Sequence, residues 1–139
     1  FLMSLDEAVE LVLYAFQHAE AGDIMVEKAP ACTIADLAQA MLELFAASSE
    51  LRIIGTRHGE KRYETLLTRE EFVRAIDMGH FYRIPADKRD LNYDKYFTDG
   101  SPELSDTCEY TSHNTRRLCI AEIKEIVGEL DAVKKALVK

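Results

Sequence analysis

The densest chemistry in this sequence lies in one short polar run, Gly55-Thr56-Arg57-His58-Gly59-Glu60-Lys61. Arg57 and Lys61 are cations beside glycines, where a backbone can come close to a ligand. A guanidinium donates two parallel hydrogen bonds from a planar fork, which matches a diphosphate. A carboxylate only accepts, which suits Glu60 to the paired hydroxyls of a ribose. Together Arg57 and Glu60 could grip both halves of a nucleoside diphosphate. Their spacing alone favours a solvated charged turn. A second constellation is Tyr110-Thr111-Ser112-His113-Asn114-Thr115-Arg116-Arg117. It is dense in donors and carries two adjacent cations. His113 and Asn114 are its candidate ligand contacts; a subunit contact or a solvated loop before a helix would use the same residues.

Other chemistries find no matching pattern. His113 beside Ser112 lacks a third group to orient it, and no G-x-S-x-G elbow occurs, so no hydrolase triad is expected. His18, His58, His80 and His113 fall in no zinc-binding spacing, so no metal is expected. No G-x-G-x-x-G follows a strand. None of Tyr14, Tyr63, Tyr82, Tyr93, Tyr96 and Tyr110 has a lysine four residues on. No residue is therefore assigned a catalytic role, and this stretch by itself is expected to bind no cofactor.

The elements that must position these groups are written in the periodicities. Ser4 and Glu7 form a capping box ahead of a helix whose apolar face would be Leu5, Ala8, Val9, Val12, Leu13 and Phe16. Ile24-Met25-Val26 reads as a short strand. Thr33, with Asp36 three residues on, opens a second helix carrying Ile34, Leu37, Ala38, Met41, Leu42 and Phe45. Leu51-Arg52-Ile53-Ile54 reads as the next strand, so strand, helix and strand predict a βαβ unit with parallel strands. A third helix is expected from Thr68 to about Asp77, ended by Gly79, with a strand at 81–84. Residues 86–117 lack periodicity and read as a long loop. Residues 118–139 read as one C-terminal helix. The fold class is α/β, with short parallel strands and about four helices, all in one domain over 1–139.

Composition narrows the function. Of 139 residues, 47% are apolar and 30% charged, which suits a globular chain. A formal net charge of -8 argues against nucleic acid, whose binding is dominated by cations on phosphates. No run of about 18 apolar residues is present, so no membrane partner is expected. Cys32, Cys108 and Cys119 form no C-x-x-C and read as idle thiols of a cytoplasmic protein. The chain opens on Phe1 without a signal-peptide pattern, which reads as a cut from a longer protein.

Four motifs then occur in order: Phe1-Leu2-Met3-Ser4-Leu5-Asp6-Glu7-Ala8-Val9; Ile53-Ile54-Gly55-Thr56-Arg57-His58-Gly59-Glu60-Lys61; Tyr82-Arg83-Ile84-Pro85 with Arg89-Asp90-Leu91-Asn92-Tyr93-Asp94; and Thr111-Ser112-His113-Asn114-Thr115. In this the chain resembles the C-terminal region of the UDP-N-acetylglucosamine 4,6-dehydratase (5-epimerising) subgroup. Those are capsule and O-antigen polysaccharide biosynthesis proteins of the extended short-chain dehydrogenase/reductase family. The resemblance spans nearly the whole chain. It implies a small C-terminal substrate-binding domain, inactive alone, whose missing first half is a Rossmann domain holding NADP or NAD and the catalytic groups. It implies that Arg57 meets the diphosphate and Glu60 the ribose of a UDP-sugar, with Lys61, His113 and Asn114 near the cleft. Arg62 departs from the pattern where an apolar residue is usual, and Cys119 where an acidic N-cap is usual. Two other functions fit the same residues: a stand-alone nucleotide-sugar-binding or oligomerisation module, or the C-terminal domain of a UDP-sugar 4-epimerase. Faces made to cover an absent half would be apolar, so self-association is expected, and the whole protein is expected to be a homo-oligomer.

Overall fold

A computed structural model describes residues 1–87 and 108–138. The Arg89–Asp94 motif and most of the 86–117 stretch, including Gly100 and Pro102, lie outside the described residues. The elements run α1 (Leu5–His18), β1 (Ile24–Glu27), α2 (Ile34–Leu44), β2 (Thr65–Leu67), α3 (Arg69–Arg74), β3 (Ile76–Asp77), β4 (Phe81–Ile84), β5 (Tyr110–Thr111), α4 (Ile120–Glu129) and α5 (Asp131–Leu137). They fall into two compact units. One comprises Phe1–Ser4, Ala29–Glu64 and the chain from Ser112 on; the other comprises Leu5–Lys28 and the described part of Thr65–Thr111.

In the first unit α2 packs on α4 around Ala40, Leu118, Ile123 and Val127, with Leu37, Met41 and Leu44 against them. The start of α2 is fixed locally. The Thr33 hydroxyl oxygen accepts the Asp36 N–H at 2.9 Å, and the hydroxyl donates to the Asp36 carboxylate at 2.5 Å. Cys119 is a poor residue at the start of α4, and Glu122 compensates. Its carboxylate accepts the Cys119 N–H at 2.8 Å and pairs with Arg116 at 2.5 Å. The single C-terminal helix expected from 118 to 139 is broken. Leu130 adopts an extended conformation with ψ 129°, and a new helix starts with Asp131 in its first turn. An acid there suits a helix beginning, and Gly128 two residues earlier weakens helix continuity.

The strand expected at 51–54 does not form. Those residues are exposed, Ile53 at 95%, and no strand among the described residues pairs with them. An isolated extended segment leaves its backbone groups to water, so the apolar run alone did not make a sheet.

With that partner gone, the βαβ unit fails, and the parallel strands are replaced by antiparallel ones. In the second unit β1, β4 and β3 form a sheet in the order β1-β4-β3. Ile24 lies opposite Ile84 and Glu27 opposite Phe81, while Ile76 faces Arg83. A separate pair sets Thr65 opposite Thr111 and Leu67 opposite Tyr110, with an irregular register between them. Both sheets are antiparallel. The only parallel pairing among the described residues is the bridge of Ala31 with Arg117, in the first unit. The third helix stops at Arg74 instead of Asp77. Ala75 turns extended, and Ile76-Asp77 join β4 as an edge strand. Gly79 then serves a hairpin turn instead of a helix end. Its φ is +87°, and its N–H is held by the Asp77 carboxylate at 2.8 Å.

Aromatic rings mark the two faces of the three-stranded sheet. Tyr14 of α1 lies 4.4 Å from Phe81, and Phe72 of α3 meets Tyr82 edge-on at 5.4 Å. Asp23 ties the turn after α1 to the end of β4. Its carboxylate accepts the Glu20 N–H at 2.8 Å, Arg83 Nε at 2.5 Å and the Ala86 N–H at 3.2 Å. The Glu20 N–H first, and then Arg83, hold this carboxyl below the ordinary aspartate range. Gly22 beside it has φ +87°, and a Cβ there would sit 2.9 Å from that of Ala86.

Apart from Ala8, the side of α1 expected to be buried faces outward. Leu5 is 80% and Phe16 84% exposed, and Val9, Val12 and Leu13 are exposed as well. The half-buried side is Ala8, Leu11, Tyr14 and Ala15. A helix apolar on two faces is built to be covered on both. Light scattering on the 139-residue chain is therefore expected to show concentration-dependent self-association, reduced by Val12→Asp with Phe16→Asp. A monomer at every concentration would contradict this.

Glu27 supplies a pH signature. One of its carboxylate oxygens, Oε2, is buried without a hydrogen-bond partner among the described residues. Burial first, then the charges of Glu7 and Glu10, push its carboxyl above the ordinary glutamate value. A raised acid favours the folded state while protonated, and that contribution is lost as pH rises through the folded-state value. Glu27→Gln is thus expected to raise the melting temperature at neutral pH, with the difference vanishing in acid. A lowered neutral-pH melting temperature would overturn this. No described helix is long and apolar enough to cross a membrane, and no described acid, His and Cys groups cluster for a metal.

Candidate functional site

The glycine-flanked run forms one wall of a hollow of about 790 Å³ in the first unit. Ile34, at the start of α2, and Ile54 give it an apolar side. Arg57, Glu60, Lys61 and Glu64 give it a charged one. The turn is local. The Glu60 N–H donates to the Arg57 carbonyl at 3.1 Å. Gly55 and Gly59 take φ values of +76° and +81°, a region that a side chain at either position would strain.

Within this turn Arg57 and Glu60 bind each other. One carboxylate oxygen accepts the Arg57 N–H at 2.7 Å, and the other accepts Arg57 Nε at 2.7 Å. The backbone N–H first, and then the guanidinium, hold the Glu60 carboxyl below its ordinary value, so it is a carboxylate near neutral pH. The pairing orients both groups. With Nε engaged, the two terminal nitrogens of Arg57 have no partner among the described residues, and the side chain is 75% exposed. Lys61 Nζ likewise has no carboxylate within ion-pair distance among the described residues. The hollow therefore presents a fixed guanidinium edge, a second cation, two carboxylates and an apolar floor. That is a set for binding anionic and hydroxyl groups together with a flat apolar one.

Of the residues singled out in the sequence, Arg57, Glu60 and Lys61 come together at this hollow. His113 and Asn114 do not line it. The His113 ring instead lies 4.6 Å from that of Tyr63, next in sequence to Glu64. Sequence reasoning missed three lining residues. Ile34 belongs to the apolar stripe expected of α2 and is 81% exposed; Ile54 belongs to the expected strand that does not form; Glu64 lies outside both polar runs. The available signal was an apolar pair, Ile53-Ile54, running straight into a glycine-rich polar turn with no second strand to receive it.

Comparison with known proteins places the chain in a family. Residues 1–86 match the model described as polysaccharide biosynthesis protein, and residues 87–134 match polysaccharide biosynthesis protein C-terminal. A protein named UDP-glucose 4-epimerase from Rickettsia felis is 54% identical over 137 residues. Proteins of the same name from Rickettsia prowazekii and Rickettsia akari are 53% and 51% identical. Each alignment covers 99% of this chain and 40% of the relative, so the chain spans about two-fifths of the length of the curated relatives it matches. Among solved structures, the X-ray structure of Pen from Bacillus thuringiensis superposes with a TM-score of 0.70 at 25% identity, over 91% of this chain and 36% of that one. The chain belongs to the polysaccharide biosynthesis protein family.

Proposed function

We propose that this chain is the substrate-binding, C-terminal part of a nucleotide-sugar enzyme, and that the hollow receives the UDP portion of a UDP-sugar. The observation that carries the proposal is the Arg57–Glu60 pair, which locks a guanidinium edge and a carboxylate side by side on one hollow. The Arg57 edge and Lys61 face the diphosphate, the carboxylates face hydroxyls, and Ile34 and Ile54 offer an apolar surface to the base. The catalytic groups are assigned to polypeptide outside this chain, so the chain alone would bind without turnover. The reaction proposed for the whole protein is that of a UDP-N-acetylglucosamine 4,6-dehydratase with 5-epimerisation, supported by the four ordered motifs. UDP-sugar 4-epimerisation is the second reading, favoured by the name shared by the Rickettsia relatives.

Either reaction calls for NAD or NADP to carry the hydride. No described strand here leads through a glycine-rich turn into a helix, so these residues do not fit a dinucleotide. The cofactor is assigned to polypeptide outside this chain, which in the relatives is about 60% of the length. The three free cysteines suit a reducing, cytoplasmic setting, and the outward apolar side of α1 suits a homo-oligomer. Calorimetry with UDP, UMP and uridine tests the site. UDP should bind in a saturable way and lose most of its affinity on going to UMP; equal binding of all three would overturn the diphosphate assignment. The full-length enzyme then separates the two reactions, since UDP-N-acetylglucosamine should yield a 4-keto-6-deoxy product under dehydration and a C4 epimer under epimerisation.

A further inference from the structure

The hollow has a mechanical problem that the turn itself does not solve. Residues 45–64 are exposed throughout. Among the described residues, the hydrogen bonds of residues 48–63 run only between Arg57 and Glu60. The turn is shaped within itself, and among the described residues no hydrogen bond ties it directly to the wall opposite, where Ile34 begins α2.

The attachment comes from the segment Ser112–Leu118. At one end Ser112 grips Glu64 twice. Its N–H donates to the Glu64 carbonyl at 2.8 Å, and its hydroxyl oxygen accepts the Glu64 N–H at 3.0 Å. The His113 ring lies against Tyr63 beside that grip. Toward the other end, the Thr115 hydroxyl donates to the Ala29 carbonyl at 3.0 Å. The Ala31 N–H donates to the Arg116 carbonyl, and the Leu118 N–H to the Ala31 carbonyl, both at 2.9 Å. Ala29 and Ala31 are buried, and Ile34 follows three residues after Ala31. Within the segment, Arg117 Nη1 donates to the Ser112 carbonyl at 2.8 Å, which fixes its own shape.

We propose that Ser112–Leu118 is a brace that holds the two walls of the hollow at a set separation, making Ser112 and Thr115 positioning residues for the nucleotide. The proposal rests on the assignment of the hollow to a nucleotide. It gives the Thr111–Thr115 motif a task that needs no contact between His113 or Asn114 and the ligand. Each hydroxyl acts through the backbone of a wall: Ser112 through Glu64, Thr115 through the stretch that leads into α2.

Ser112→Ala and Thr115→Val in the full-length protein test it, with Ser112→Thr as the conservative control. Without ligand, the hydrogen-bonded amides of Arg57, Glu60 and Glu64 should exchange roughly 10-fold faster in Ser112→Ala and keep their native rate in Ser112→Thr. The UDP dissociation constant should rise about 3- to 10-fold in each disruptive variant, with little change in melting temperature. In an Arg57→Ala background the Ser112→Ala effect on UDP should shrink, since there is less grip left to position. Unchanged exchange of the Arg57 and Glu60 amides in both disruptive variants overturns the brace. Faster exchange with unchanged UDP affinity overturns its link to the nucleotide. Failure of the unaltered protein to bind UDP would instead sink the nucleotide assignment, while the exchange data would still show whether the walls are tied.

Discussion

Arg57→Ala is expected to weaken UDP binding roughly 10- to 100-fold, read as a rise in dissociation constant by calorimetry and as a rise in KM for the UDP-sugar in the full-length enzyme. A charge-assisted hydrogen bond contributes about 1.5–3 kcal/mol, and the exposed guanidinium edge offers two donors in one plane. The substitution also removes one of the two bonds that hold Glu60, leaving the carboxylate only its bond from the residue 57 N–H. Both losses act in the same direction. Arg57→Lys should recover little, because an ammonium is a point charge without the planar fork and cannot bond Glu60 and a phosphate in the same arrangement. Native affinity in Arg57→Ala would remove the main support for the site.

Ile123→Ala and Leu67→Ala are each expected to destabilise the protein by about 2–5 kcal/mol in urea unfolding, the range for a large aliphatic side chain cut back inside a packed core. Both side chains are fully buried, Ile123 in the first compact unit and Leu67 in the second. Against a typical domain stability of about 5–15 kcal/mol the loss is large. Ile53→Ala supplies the contrast. It removes the same kind of side chain at 95% exposure and should change stability by less than about 0.5 kcal/mol. A loss below about 1 kcal/mol at Ile123 or Leu67 would mean that the site is not packed as described.

The helices were legible because their signals are local. Thr33 and Thr68 are expected as helix starts, and the side chain of each caps its helix. The sheets were not legible. A strand's partner is chosen by distant chain, and nothing in Ile24–Val26 distinguishes pairing with 51–54 from pairing with Phe81–Ile84. The burial of α1 is ambiguous in the sequence for a related reason. Its sequence is apolar on two sides, and periodicity does not say which side meets the sheet. The break at Leu130 was hidden because Ile120, Ile123, Val127, Leu130 and Val133 keep helical spacing across it. At the site, Arg57, Glu60 and Lys61 were visible as types and spacing. Their shared hollow, the mutual Arg57–Glu60 pair and the part played by Ile34 depend on where α2 begins relative to the turn, which spacing does not encode.

Because Glu60 and Glu64 stand among the cations, the turn carries its own counter-ions. A bare oxyanion such as sulfate or inorganic phosphate meets attraction and repulsion together and gains little by docking. A solute that brings negative charge at one end and hydrogen-bond donors at the other is welcomed by both kinds of group. On the proposed reading of the hollow, the arrangement would filter by the pattern of charge along a molecule rather than by its total, keeping out the abundant small anions that crowd a simple basic patch.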